Sequence, residues 1–456
     1  MTSTTYHGSG EGPLSLSTCV GWGVGTLAVA VVFNTINVLL LRYLTDTVGI
    51  GAALAGSLIG LSKLYDALID PMIGGISDRS RSPRGRRRPF VLVGGLMLAV
   101  AVVVLFHFPG GIAGTSAILY LGAALLFYST AYAVFTVPYM AMPAEMTSDY
   151  QERSHLISFR VYAAAVASLI ATFAGPLLIA RGGGGQAGHG TMSLFVAAVA
   201  AVAAIVCFRT TRTAPFHYAV AQPRIGLVGK IWLIATNRPF MLLMAIKLLQ
   251  LTALAVTQAA TPFLFKQVLR FSDTLLGLYF LVFYMAMIVS QRFWLRIARR
   301  AGKRLVYMIA TAVYAVMYLS WYFVHTGEPL YFTFLRAIGL GVTAGAVLLF
   351  GQSLLPDTME WDYRRTGMRR EGMLSALYTI VEKIAYALGA AMTGIVLGRA
   401  GYVAAHGAKP AVQPQSAVDA IYVLASLAPM GLLLLSCVAL AYYDLTEAKL
   451  REDVDR

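Results

Sequence analysis

Ser62-Lys63-Leu64-Tyr65-Asp66-Ala67-Leu68-Ile69-Asp70-Pro71 sets two carboxylates and an ammonium inside an apolar stretch long enough to cross a membrane. Lys63, Asp66 and Asp70 stand three and then four residues apart, so a helix presents all three on one face. A carboxylate turned to lipid would cost several kcal/mol, so this face must point into protein or a water-filled cavity. Charges held at that depth bind ions, move protons or hold a polar solute. The stretch therefore reads as part of a transporter.

Working outward, the whole chain agrees. Of 456 residues 58% are hydrophobic and only 12% charged, against roughly 25% charged in a soluble protein. Apolar runs of about 20 residues recur from end to end, each long enough for about 30 Å of hydrocarbon. The net charge is +15, but the basic residues cluster in short loops between apolar runs, as topology requires. No basic, aromatic-studded groove is visible, which argues against a nucleic-acid partner. Cys19, Cys207 and Cys437 are far apart and suggest neither a disulfide framework nor a metal site. Met1 to Pro13 is polar and lacks the basic start of a cleaved leader, so the first span is read as retained.

Twelve spans are expected, at 18–44, 50–76, 90–108, 115–143, 157–180, 190–208, 238–264, 274–292, 305–324, 329–352, 372–398 and 417–443. The fold class is an all-α polytopic membrane protein. The longest break, 209–237, holds Arg209, Arg212, Arg224, Lys230, Pro215 and Pro223. It reads as a cytoplasmic linker between an N-terminal half, 1–208, and a C-terminal half, 238–456. The loop Asp78–Pro89, this linker, Arg292–Arg304 and Tyr363–Arg370 are strongly basic, while Thr45–Gly49, Pro109–Thr115 and the stretch around His325 are not. Basic and neutral loops alternate, which predicts cytoplasmic termini in an inner, plasma membrane. Six spans plus six about a basic linker resemble the two halves of the major facilitator superfamily, whose repeats suit alternating access.

Four ordered blocks carry a closer resemblance. The first is Asp66-x-x-x-Asp70-Pro71-x-x-Gly74-x-x-x-Asp78-Arg79-x-Arg81-x-x-x-Gly85-Arg86-Arg87-Arg88-Pro89. The second runs from Pro138-Tyr139 through Ala144-Glu145 and Glu152-Arg153 to Arg160. The third is Asn237-Arg238-Pro239-Phe240, and the fourth runs from Asp357 through Asp362 to Gly372. Together they resemble the glycoside–pentoside–hexuronide:cation symporter family, of which the melibiose permease is the best-known member.

The resemblance implies that Asp66 and Asp70 form the coupling-ion site, with Lys383 on the eleventh span facing the cavity near it. Physically, two carboxylates one turn apart repel and can share one proton or one cation. The competing reading is a buried brace in which Lys63 neutralises an acid. Melibiose-type sodium sites add an Asn before the second Asp and a Thr on the fourth span, and those positions are Ile69 and Ala133 here. With two oxygens missing, a proton is expected over sodium. No other cofactor and no metal are expected.

The family's sugar-gripping acids fall at Ala30 and Thr136, so a galactoside should bind poorly in that pose. Candidate substrate contacts are Asn34, Asn37, Thr136, Tyr378, Thr379 and Lys383; the two asparagines can equally bridge neighbouring helices. Lys383 can instead pair with Glu382 or snorkel, and Lys247 is expected to snorkel toward Arg238 or to meet an acidic solute. Asp78, Arg79, Arg86, Arg87, Glu145, Arg153, Arg160, Asp362, Arg365 and Arg369 are candidate gating residues, although the loop arginines also serve as topology signals.

The sequence thus predicts a secondary carrier, a monomer in lipid, moving a small solute such as a glycoside with a proton. Two rivals stand beside it: a carrier or exporter of a more apolar amphiphile, favoured by Ala30 and Met140, and a transport-inactive membrane sensor. There is no phosphate-binding Gly-x-x-x-x-Gly-Lys-Ser/Thr string and no catalytic constellation, so the chain is not read as an enzyme.

Overall fold

A backbone crossing hydrocarbon must satisfy its own hydrogen bonds, and apolar runs of this length do so as helices. The computed structural model describes residues 14–80, 82, 85–147, 150–212, 214, 237–366, 371–405, 411–443 and 445. Among them, twelve helices are long and apolar enough to cross a membrane: α1 Leu16–Val48, α2 Ala52–Arg79, α3 Arg88–Phe106, α4 Gly114–Pro143, α5 His155–Arg181, α6 Gly185–Thr210, α7 Arg238–Val268, α8 Asp273–Ala301, α9 Lys303–Phe323, α10 Leu330–Thr366, α11 Met373–Arg399 and α12 Gln415–Tyr442. The expected and observed spans agree in number and order. They differ most at α8 and α10, which continue well past 292 and 352. Apolarity marks only the part of a helix in lipid, and these two run on with polar and charged side chains.

The helix ends are set locally. Ser15 accepts from the Thr18 N–H at 3.3 Å and starts α1. Asn237 accepts from the Phe240 N–H at 3.0 Å and starts α7, with Pro239 in its first turn. Near its far end α1 loosens into π-turns at Ile36–Leu40 and Leu44–Val48.

The described residues fall into two packing units. One comprises those up to 36 and those from 65 to 223; the other comprises 37–64 and those from 224 onward. In the first unit α1 packs on α5 and α6, and α3 on α4 and α6. In the second, α7 packs on α11 and α12, α8 on α10, and α9 on α10 and α12. Counting spans assigns 37–64 to the N-terminal half, yet these residues pack within the second unit. Small residues on α2 explain why. A Cβ added to Gly56 would lie 2.6 Å from the Ala390 carbonyl oxygen, and one on Gly394 would lie 2.4 Å from that of Ala52. The α2 and α11 backbones therefore touch directly. Most of the 209–237 linker lies outside the described residues. Its start is anchored by Arg88, which donates to the Arg212 and Ala214 carbonyls at 2.8 and 2.7 Å.

Candidate functional site

α2 carries the decisive charges on one continuous helix that runs through Pro71. Pro71 has no N–H to give its own helix, which is a local weakness one residue past Asp70. Lys63 and Asp66 are 2% and 3% exposed, and Asp70 is half-buried. In the first unit, Tyr128 of α4 is buried within electrostatic reach of Asp66, and the Tyr65 hydroxyl meets that of Thr130 at 3.2 Å. In the second unit, α2 and α11 run antiparallel, with Gly56 against Ala390 and Gly60 against Ala387. Continued one turn, that register sets Lys63 level with Lys383, which is also buried.

The candidate substrate contacts separate by what their polar atoms already do. Asn34 donates to the Ala30 carbonyl at 2.8 Å and to the Ser168 hydroxyl at 3.3 Å, bridging α1 to α5. Asn37 Nδ2 and Thr136 Oγ1 are buried without a hydrogen-bond partner and are open to one. The Thr379 hydroxyl is exposed and bonds the Ser375 carbonyl of its own helix at 3.1 Å. Tyr378 is buried beneath the Lys247 ammonium.

Several gating candidates form one cluster in the first unit. Arg87 meets Asp78 at 2.8 Å and Glu145 at 3.1 Å. Arg86 binds Glu145 as well and reaches Asp78 at 3.7 Å. Glu145 is buried, so the cluster ties the ends of α2 and α4 to the loop before α3. Arg79 is exposed and Arg160 is half-buried on α5. In the second unit, Asp362 is buried and accepts from Asn237 Nδ2 at 2.9 Å, while Arg365 stacks over Trp361. The side chains of Arg153 and Arg369 lie outside the described residues.

Two arrangements escaped the sequence reading. Lys247 does not snorkel: it is buried and ion-paired with Glu382 at 3.1 Å. Roughly 14 Å of helix separates it from Arg238, farther than a lysine stem reaches. The second is a polar knot at the far end of α1. Arg42 binds Asp273 at 2.5 Å and lies 3.8 Å from Asp46. Asp46 accepts from the Tyr402 hydroxyl at 2.7 Å, and Tyr402 in turn accepts from Gln267 at 2.9 Å. Burial, reinforced by Asp46, pushes the Tyr402 hydroxyl above its ordinary value, so it stays a donor. A lone Arg or Tyr beside a loop gave no pattern to follow.

Twelve apolar helices among the described residues, with charged side chains buried among them, mark a polytopic integral-membrane protein. A family model described as MFS/sugar transport protein matches residues 21–447, and the chain belongs to that family. It is 27% identical over 439 residues to the putative glycoside/cation symporter YagG of Escherichia coli K12, covering 96% of this chain and 93% of that protein. It is also 27% identical over 450 residues to a glucuronide carrier protein homolog of the same organism, covering 97% and 95%. Among solved structures, a bacterial homolog of the human lysosomal transporter Spinster, inward-facing and unoccupied, superposes with a TM-score of 0.68. It shares 14% identity and covers 97% of this chain and 99% of that one. The match at that identity is one of fold. The family and the twelve spans make this a multi-pass inner-membrane secondary transporter.

Proposed function

We propose that the protein couples movement of a glycoside or related sugar to a proton gradient by alternating access. The carrying observation is the composition around the acid pair. Asp66 and Asp70 supply carboxylates on α2, while Ile69 is half-buried beside them and Ala133 is buried on α4 without a polar atom. A bare sodium ion needs several oxygens to replace its water, whereas a proton needs one carboxylate. The curated relatives named as a glycoside/cation symporter and a glucuronide carrier homolog support the solute class. Within the first unit, Thr136 carries a buried hydroxyl without a hydrogen-bond partner that a sugar hydroxyl could satisfy. Alternating access would use the Asp78–Arg86–Arg87–Glu145 and Asn237–Asp362 contacts, each within its own unit, as gating elements, with 209–237 as a cytoplasmic linker between the halves 1–208 and 238–456 and both termini cytoplasmic.

The test uses purified protein in liposomes loaded with a pH-sensitive dye. A panel of glycosides and hexuronides is added with and without sodium. Proton movement triggered by a sugar, and lost in Asp70→Asn, is the expected result. Uptake that requires sodium and moves no proton would overturn the choice of ion.

A further inference from the structure

Lys247 and Glu382 form an ion pair in the second unit that the coupling site does not use. The Lys247 ammonium donates to Glu382 Oε2 at 3.1 Å. It also stands over the Tyr378 ring, 2.8 Å from the centroid. The helices meet closely here: a Cβ on Gly389 would lie 2.3 Å from Ala255 Cβ, so α7 and α11 run in parallel register past the pair. On α7 Lys247 is nine residues beyond Arg238, and on α11 Glu382 is nine beyond Met373. Both are therefore roughly 14 Å into their helices.

The partners differ in exposure. The Lys247 side chain is 6% exposed and that of Glu382 is 44%. At this depth a carboxylate facing lipid would cost several kcal/mol, so the open side of Glu382 faces water. Two other buried pairs, at helix ends, are built differently. In Arg42–Asp273 and Arg336–Glu328 both partners are shielded. At Lys247 the cation lies over the Tyr378 ring, and its acid partner is the more exposed of the two.

We propose that Lys247 is an anion-binding residue of the transport path, and that Glu382 is its resident counter-ion, displaced by a solute bearing a carboxylate or sulfonate. This rests on the transporter reading above and narrows its solute to a sugar acid or similarly charged sugar derivative. The arriving anion takes over the ammonium hydrogen bond, Glu382 swings into water, and Tyr378 holds the cation through its ring face. A neutral sugar cannot make the exchange, because it would leave a buried ammonium without an anion. On release Glu382 closes back, so the empty carrier never holds the charge unpaired.

The experiment is isothermal titration of purified protein in nanodiscs with p-nitrophenyl β-glucuronide and p-nitrophenyl β-glucoside. These differ only in a carboxylate in place of a hydroxymethyl group. The wild type should prefer the glucuronide by about tenfold or more. Lys247→Gln should bring the ratio near one, and Lys247→Arg should keep most of it. Glu382→Gln should tighten glucuronide binding, since no counter-ion has to leave; it carries the test if Lys247→Gln does not fold. Equal wild-type affinity for the two glycosides, an unchanged ratio in Lys247→Gln, or weaker glucuronide binding in Glu382→Gln overturns this inference and leaves the sugar-transport reading intact. Binding of neither glycoside overturns both.

Discussion

Replacing Asp273 with Ala tests whether the polar knot at the end of α1 holds residues 37–64 in the second unit. The Arg42 and Asp273 side chains are 8% and 12% exposed. Asp46 is a weaker substitute partner: its Oδ2 lies 3.8 Å from Arg42 Nε, beyond hydrogen-bond distance, while its Oδ1 is held by Tyr402 and Thr45. The substitution therefore leaves a buried guanidinium poorly paired, which costs about 3–5 kcal/mol. An internal control is available in Lys303–Asp357, a 3.1 Å pair whose side chains are 45% and 28% exposed. There, Asp357→Ala should cost about 0–1 kcal/mol. Unfolding titrations of both variants in detergent, followed by tryptophan fluorescence, give the two values side by side. Hydrogen exchange across residues 37–50 should rise in Asp273→Ala alone. Replacing both partners with apolar residues, Arg42→Met with Asp273→Leu, should recover most of the loss. Equal destabilisation by Asp273→Ala and Asp357→Ala would refute the reasoning, because it rests wholly on the difference in burial.

Three other substitutions probe separate parts of the chain. Asp70→Asn should abolish gradient-driven accumulation while permitting downhill exchange; full accumulation in vesicles would remove Asp70 from the coupling site. Tyr402→Phe should change the alkaline limb of stability. The folded state holds the Tyr402 proton more tightly than the unfolded chain, so its contribution is complete below about pH 10 and is lost as pH rises above that value. Thermal melts should show a shallower alkaline decline in Tyr402→Phe, and an identical decline would show that the hydroxyl contributes nothing. Gly394→Val places a side chain where a Cβ already meets the Ala52 carbonyl oxygen at 2.4 Å. It should destabilise by about 1–3 kcal/mol or more, read in the same unfolding titration, whereas the open position Gly431 should accept Ala at little cost.

The number and order of spans were legible because hydrocarbon thickness sets a length that composition reports directly. The α2 charges were legible for a related reason: Lys63, Asp66 and Asp70 are costly wherever they are not needed. Helix ends in water were harder to read. The run of α10 from 353 to Thr366 holds Asp357, Glu360 and Asp362, and nothing in hydropathy separates a solvated helix from a loop. Pairing across the chain was harder still. Lys247 and Glu382 are 135 positions apart, Arg42 and Asp273 are 231 apart, and no local period links residues so distant. Asn34 shows the same limit at short range. Its spacing from Asn37 allowed a shared role, but its amide bonds Ala30 and Ser168, whereas the Asn37 amide is unpartnered.

α2 also shows why packing and chemistry occupy different turns of one helix. Close approach to α11 requires side chains to be nearly absent, and Ala52, Gly56 and Gly60 provide that. The proposed coupling site requires side chains that carry charge, and Lys63, Asp66 and Asp70 would provide that. Neither set can do the other's work: a carboxylate at 56 would collide with the Ala390 backbone, and a glycine at 66 would hold nothing. Separating them by a single turn has a further effect. The backbone contact fixes the antiparallel register of α2 against α11, and that register alone brings Lys63 level with Lys383. The small residues therefore position the charged ones without touching them. A bulky substitution at Gly56 or Gly60 should disturb coupling through register, even though neither glycine binds anything.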